Sequence, residues 1–128
     1  MLLVNARIGV SDIHGFGLFA QQFISKGTCV WRFQPGFDLM IDETELAALS
    51  ATAQAQVRHY AFYDSERRCY VLSGDDDRFT NHADEPNTHE AGGYDSIASR
   101  DIQAGEEITW SYRGWGGLDF LSSEGGGL

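Results

Sequence analysis

Seven short runs rich in β-branched and aromatic residues recur along the chain, at residues 4–10, 18–20, 28–33, 37–41, 69–72, 96–99 and 107–111. Gly, Asp and Asn punctuate them, as expected of strands that end in tight turns. None exceeds seven residues, so they can build only small sheets. One stretch breaks the pattern. Asp42, followed three residues later by Glu45, is an N-terminal capping signature. Leu46, Leu49, Ala53, Val57 and Tyr60 then recur at spacings of three and four, one apolar helical face that Ser50 is placed to divide. At 128 residues the expectation is one domain with its own core. Its class is mainly β with a short helical insert (α+β). No internal repeat is present. The segment after Arg113 is glycine-rich, with Trp115, Leu118, Phe120 and Leu121 as its only anchors, so its end is expected to be mobile.

The formal net charge is −10, and Lys26 is the only lysine. Such a surface repels phosphate, which argues against direct nucleic-acid binding. It would attract a basic protein or a lysine-rich peptide, or it would serve solubility alone. Position supports the first reading, because Asp75, Asp76 and Asp77 on one side and Asp84 and Glu85 on the other flank the pair Asn81-His82. Cys29 and Cys69 form no Cys-x-x-Cys pair, so neither a zinc site nor a redox motif is indicated. Two such cysteines suit a reducing compartment. The opening Met1-Leu2-Leu3-Val4-Asn5 is too short an apolar run for a signal peptide, and no stretch approaches membrane-spanning length. The expectation is a soluble cytoplasmic protein without membrane contact. Nothing in the sequence decides whether it forms a homodimer.

Two segments concentrate polar residues beside strand-like runs, where sites are commonly built. The first is Arg78-Phe79-Thr80-Asn81-His82-Ala83-Asp84-Glu85-Pro86-Asn87, which ends in turn chemistry at Pro86 and Asn87. The second is Arg100-Asp101-Ile102-Gln103-Ala104-Gly105-Glu106-Glu107-Ile108-Thr109-Trp110-Ser111-Tyr112, a turn at Ala104-Gly105 that leads into a strand and ends on tyrosine. A third segment, His14-Gly15-Phe16-Gly17-Leu18-Phe19-Ala20, contains a Gly-x-Gly turn whose backbone a ligand could approach closely. By itself it reads equally as an ordinary turn between strands. Asn81 offers both donor and acceptor. Neither His82 nor His89 has further Cys or His partners at metal-binding spacing, so no metal is expected.

In this order and spacing the three segments resemble the SET-domain protein lysine methyltransferases. That family carries Gly-x-Gly near its start, then Arg-Phe-x-Asn-His-x-x-x-Pro-Asn, then Gly-Glu-Glu-Leu-Thr-Tyr-x-Tyr. The likeness runs from about Val10 to Tyr112, and it implies a SET domain over residues 1–113, with residues 114–128 closing the active site. The implied fold is a set of small β-sheets whose C-terminal segment threads beneath a preceding loop, a pseudoknot that unites the Asn81-His82 loop with the Tyr112 strand. The implied reaction moves a methyl group from S-adenosylmethionine to a lysine of a basic protein, histone-like or ribosomal. Carried over residue by residue, the cofactor contacts fall on His14, Gly15, Phe16, Gly17, Arg78, Asn81, His82, Tyr112 and Trp115. Tyr112 takes the catalytic position. A phenol with pKa near about 10 is a poor base at neutral pH, so its role is to align the reactants. A sulfonium about 4 Å from the lysine nitrogen, at an effective dielectric of about 20, would disfavour the ammonium by roughly 4 kcal/mol. The lysine channel should be aromatic, with Tyr60, Tyr63 and Trp110 as its candidates.

Three departures from the family pattern stand out. Trp110 occupies a position usually Tyr or Phe, which helps set how many methyl groups are added. Ala83-Asp84 replaces the usual Ser-Cys. No cysteine follows Cys69, so the cysteine-rich, zinc-binding tail of many nuclear members is missing, as in compact viral and bacterial members. Trp115 or Phe120 would then cover the adenine. The alternative is a SET-like module that binds a peptide and methylates nothing, and the bulk of Trp110 is the feature that would favour it.

Overall fold

The computed structural model describes residues 1–111. Tyr112, Trp115 and Phe120, with the rest of the glycine-rich tail, lie outside the described residues. In chain order come β1 (Ala6–Val10), β2 (Phe16–Ala20), β3 (Cys29–Trp31), β4 (Leu39–Asp42), α1 (Glu43–Ala47) and α2 (Ala51–Tyr60). There follow β5 (Phe62–Asp64), β6 (Cys69–Leu72), a 3₁₀ turn (Asp76–Phe79), β7 (Asn81–His82), β8 (Thr88–Glu90), β9 (Ser96–Ala98) and β10 (Glu107–Trp110). The strands form three small sheets, ordered β1-β2-β10-β7, β3-β9-β8 and β4-β6-β5.

Capping chemistry divides the helical insert as its residues suggest. Asp42 Oδ1 accepts from the Glu45 N–H at 2.7 Å while Glu45 Oε1 accepts from the Asp42 N–H at 3.1 Å, the reciprocal box that starts α1. Ser50 Oγ accepts from the Ala53 N–H at 3.1 Å and starts α2. The apolar stripe is correspondingly broken. Leu46 and Val57 are buried, whereas Leu49 stays exposed at the junction. Strands Phe62–Asp64, Asn81–His82 and Thr88–Glu90 were not expected from the sequence. Each is only two or three residues long, too short for periodicity to register.

Three apolar clusters fill the spaces between sheets. Leu18, Ala20, Ile24, Val30, Ala98, Ile102 and Ile108 join the β2–β10 region to β3 and β9. Leu46, Val57, Ala61 and Tyr70 fix the helices on the β4-β6-β5 sheet. Trp31, Cys69, Val71 and Tyr94 link that sheet to β3.

β10 is the hub of this arrangement. It runs antiparallel to β2 (Ile108 opposite Leu18) and parallel to β7 (Thr109 opposite Asn81, Trp110 opposite His82). Parallel neighbours need a long connection, here the chain from His82 to Glu107. Part of that connection returns across β10. Asn87 Oδ1 accepts from the Thr109 N–H at 2.8 Å, Asn87 Nδ2 donates to the Glu107 carbonyl at 2.8 Å, and Thr88 Oγ1 donates to the Thr109 carbonyl at 2.6 Å. The loop through Pro86 is thereby laced over β10, as the threaded family arrangement requires. Among the described residues, no helix is long and apolar enough to cross a membrane.

Candidate active site

Side by side on parallel strands, Asn81 and Thr109 bring two sequence-distant motifs together. Asn81 is 8% exposed, and its amide nitrogen is surrounded by acceptors. Nδ2 lies 3.0 Å from the carbonyls of His14 and Phe16, 2.9 Å from Glu107 Oε2 and 3.1 Å from Ser11 Oγ. An NH₂ group has two protons, so these contacts are shared, and they fix which end of the amide is nitrogen. All of them use Nδ2. Among the described residues no side chain bonds the amide oxygen, the half of the side chain left for a ligand.

Glu107, at the start of β10, completes the cluster. Its oxygens accept from Ser11 Oγ at 2.7 and 3.0 Å as well as from Asn81. Ser11 Oγ in turn accepts from the N–H groups of Ile13 and His14, at 2.9 and 3.3 Å. The turn before β2 is therefore held by side chains from three segments. Its two glycines have different causes. Gly15 has φ of +47° with open space beside it, so it answers to backbone conformation. At Gly17 a Cβ would overlap the Glu107 carboxylate. Close ligand approach was the expected reason for both; at Gly17 the reason is the protein's own carboxylate.

A cavity of about 240 Å³ opens beside this cluster. His14, Gly15, Phe16, Arg78 and Asn81, expected at the cofactor, line it together with Tyr60 and Trp110, expected at the lysine channel. The ring of Tyr60 meets Phe79 edge-on at 5.6 Å and carries the Arg78 guanidinium 5.6 Å from its centroid. Trp110 packs on Phe62 at 5.3 Å, and its Nε1 donates to the Thr80 carbonyl at 3.1 Å. The indole is thus drawn against the wall. Of the expected residues within the described range, Gly17, Tyr63 and His82 are not in the lining. Tyr63 packs on Tyr70 at 4.9 Å and donates to Glu43 at 3.0 Å, because strand alternation in β5 turns it away from Phe62. His82 is half-buried with its Nε2 3.3 Å from Asp84 Oδ1.

The acidic run 75–77 is not the solvated flank expected of it. Asp75 caps the 3₁₀ turn, accepting from the Asp77 N–H at 3.2 Å, and binds the Leu2 N–H at 2.8 Å. Asp77 faces inward and lines the cavity. Loss of hydration pushes its carboxyl up to about 6, against the opposing hydrogen bonds from Ser73 and Thr80. Only Asp76 is exposed. Sequence reading passed over Ser11, Asp77, Asn87 and Glu107 as site residues. The usable signal was Glu107, a carboxylate that opens a strand directly before Ile108.

The residues present fit S-adenosylmethionine. The free Asn81 oxygen suits its ammonium, and the Phe16 ring, 59% exposed, offers an apolar face at the same cavity. Among the described residues, no three His, Cys, Asp or Glu side chains gather as a metal would require.

The sequence profile of the SET domain family matches residues 15–113. No curated protein matches the sequence. Among solved structures, a Plasmodium falciparum protein provisionally named a histone methyltransferase superposes with a TM-score of 0.58 at 21% identity, over 87% of this chain and 95% of that one. At that identity the likeness bears on the fold, and it agrees with the small sheets described above. The chain belongs to the SET domain family.

Proposed function

We propose that the chain is an S-adenosylmethionine-dependent methyltransferase acting on a lysine side chain of a basic protein. The observation that carries this reading is the Asn81 cluster. It locks the amide nitrogen on four acceptors and leaves the oxygen to a ligand in a cavity that Tyr60, Phe79 and Trp110 also line. When bound, the cofactor supplies a methyl group on a sulfonium whose positive charge favours the neutral form of a nearby amine. The chain's own residues do the rest. Asn81 holds the cofactor's amino group, the turn at His14-Gly15 admits its backbone-like end, and Phe16 covers an apolar face. Tyr60, Phe79 and Trp110 form a slot for an alkyl stem. By resemblance, Tyr112 aligns the methyl group through its hydroxyl.

Trp110 is the feature that could suit a non-catalytic peptide-binding module. Its bond to Thr80 and its packing on Phe62 hold the indole in the wall, with the cavity still open beside it. This supports the enzyme reading. Incubation with radiolabelled S-adenosylmethionine and a panel of basic proteins should label at least one on lysine. Asn81→Ala should weaken cofactor binding at least about tenfold by calorimetry, the worth of one lost charge-assisted hydrogen bond. Tyr112→Phe should keep that affinity and lose most transfer. Unchanged affinity in Asn81→Ala would show that the cofactor lies elsewhere.

A further inference from the structure

Two features of the cavity have no part in holding the cofactor. Trp31 is 2% exposed, and its Nε1–H is the one buried side-chain polar atom without a partner among the described residues. Native proteins rarely leave such a donor unmet, and the usual partner is an ordered water or a ligand atom. Trp31 lines the same cavity as Ser73, Asp77, Thr80 and Ser96, but its Nε1 is itself sealed from that space. The second feature is Asp77. Its carboxyl accepts from Ser73 Oγ at 2.9 Å and Thr80 Oγ1 at 3.2 Å, and no cationic side chain bonds to it among the described residues. Arg78 turns instead to the Ser73 carbonyl at 2.8 Å. Asp77 also sits at the foot of the aromatic wall, since Phe79 packs on Tyr60 and Thr80 anchors Trp110.

We propose that Asp77 draws the substrate ammonium into this cavity and, through a water admitted there, takes up the proton that the amine must lose. The proposal rests on the lysine-methylation reading above. In the step, one N–H bond of the ammonium breaks with its electron pair left on nitrogen. That proton passes to the water, a water proton forms the O–H on Asp77, and the acid returns its proton to solvent after the product leaves. Burial holds the carboxyl near 6, so it is ionised at neutral pH yet basic enough to be protonated in passing. The charged and titratable groups around it are Asp75 on the same turn, which raises its pKa, and the Met1 α-ammonium, which lowers it. Arg78 follows it in the chain, and His14, His59 and Tyr60 share the cavity lining.

Single-turnover methyl transfer to a lysine-rich peptide should be followed from about pH 5 to about pH 9. The wild-type rate should fall about tenfold per unit below an inflection near 6, and Asp77→Asn should lose that inflection and run about tenfold slower at neutral pH. Superimposable profiles overturn the proposal. A second measurement needs no turnover: pentylammonium titrated into the cofactor-free protein, read by amide chemical shifts. Binding should weaken at least about fivefold in Asp77→Asn, and in the wild type it should fade as pH drops through about 6. Equal binding by the two folded proteins overturns the proposal, and wild-type binding independent of pH overturns it even where the variant does not fold. The expected amine binding without methylation of any basic protein would leave the acidic subsite standing and remove the methylation reading. Methylation with an unchanged Asp77→Asn profile would do the reverse.

Discussion

Asp64 and Asp77 are both carboxylates withdrawn from water, and their partners push them in opposite directions. For Asp64, burial alone would raise the pKa. The buried Tyr94 hydroxyl, the Arg67 guanidinium at 2.9 Å and the N–H groups of Arg67 and Glu66 outweigh it, and the carboxyl ends below its ordinary value. Its folded pKa is therefore depressed. The stability it contributes is present above the unfolded value of about 3.9 and is lost as pH falls through the folded one. Asp77 has the reverse sign. Its folded pKa of about 6 lies above the unfolded value, so stability falls as pH rises from about 4 to about 6 and stays lower beyond, by about 3 kcal/mol. Thermal melts across pH should separate the two. Asp64→Asn should flatten the acid limb below about pH 4. Asp77→Asn should raise the midpoint at neutral pH and leave it nearly unchanged at about pH 4. A neutral-pH midpoint lower than wild type in Asp77→Asn would mean that its hydrogen bonds outweigh its desolvation.

Among the elements, β2 and β10 define the site through one contact, the Glu107 carboxylate seated against Gly17. A methyl group at Gly17 has nowhere to go except into that carboxylate. Displacing Glu107 removes an acceptor from Ser11 and Asn81 at once. Gly17→Ala should accordingly cost about 1–3 kcal/mol in stability, the range for overpacking. It should weaken cofactor binding together with stability, although residue 17 lies outside the cavity lining. Chemical denaturation and calorimetry on the same protein test this. An alanine variant that loses stability but keeps full affinity would separate Glu107 from the Asn81 site.

Across the whole molecule, the loop that crosses β10 ties the β1-β2-β10-β7 sheet to the β3-β9-β8 sheet. Asn87 is 2% exposed, and both ends of its amide bond the β10 backbone. Asn87→Ala leaves the buried Thr109 N–H without its partner, a penalty of about 1–3 kcal/mol. Urea denaturation should show that loss with an unchanged slope. Hydrogen exchange should show faster opening at Ile108 and Thr109 than at β4 and β6. Uniform acceleration everywhere would mean that the crossing loop is no more than one contact among many.

The sequence by itself determined the short strands, the helical insert and its caps, because capping and turn chemistry act over three or four residues and leave marks at fixed offsets. The order of three motifs was enough to identify the family and to bring His14, Gly15, Phe16, Arg78, Asn81, Tyr60 and Trp110 forward as site residues. Tertiary structure alone decided why Gly17 is glycine, since the Glu107 carboxylate that requires it lies 90 residues away in the chain. It alone separated the aspartates of the 75–77 run into a cap, an exposed charge and an acid that faces the cavity, which adjacent identical letters cannot encode. It also turned Tyr63 outward while keeping Tyr60 inward, because one ends a helix and the other alternates along a strand. Local chemistry is legible where partners are near in sequence. Burial and long-range partners exist only once the chain has closed on itself.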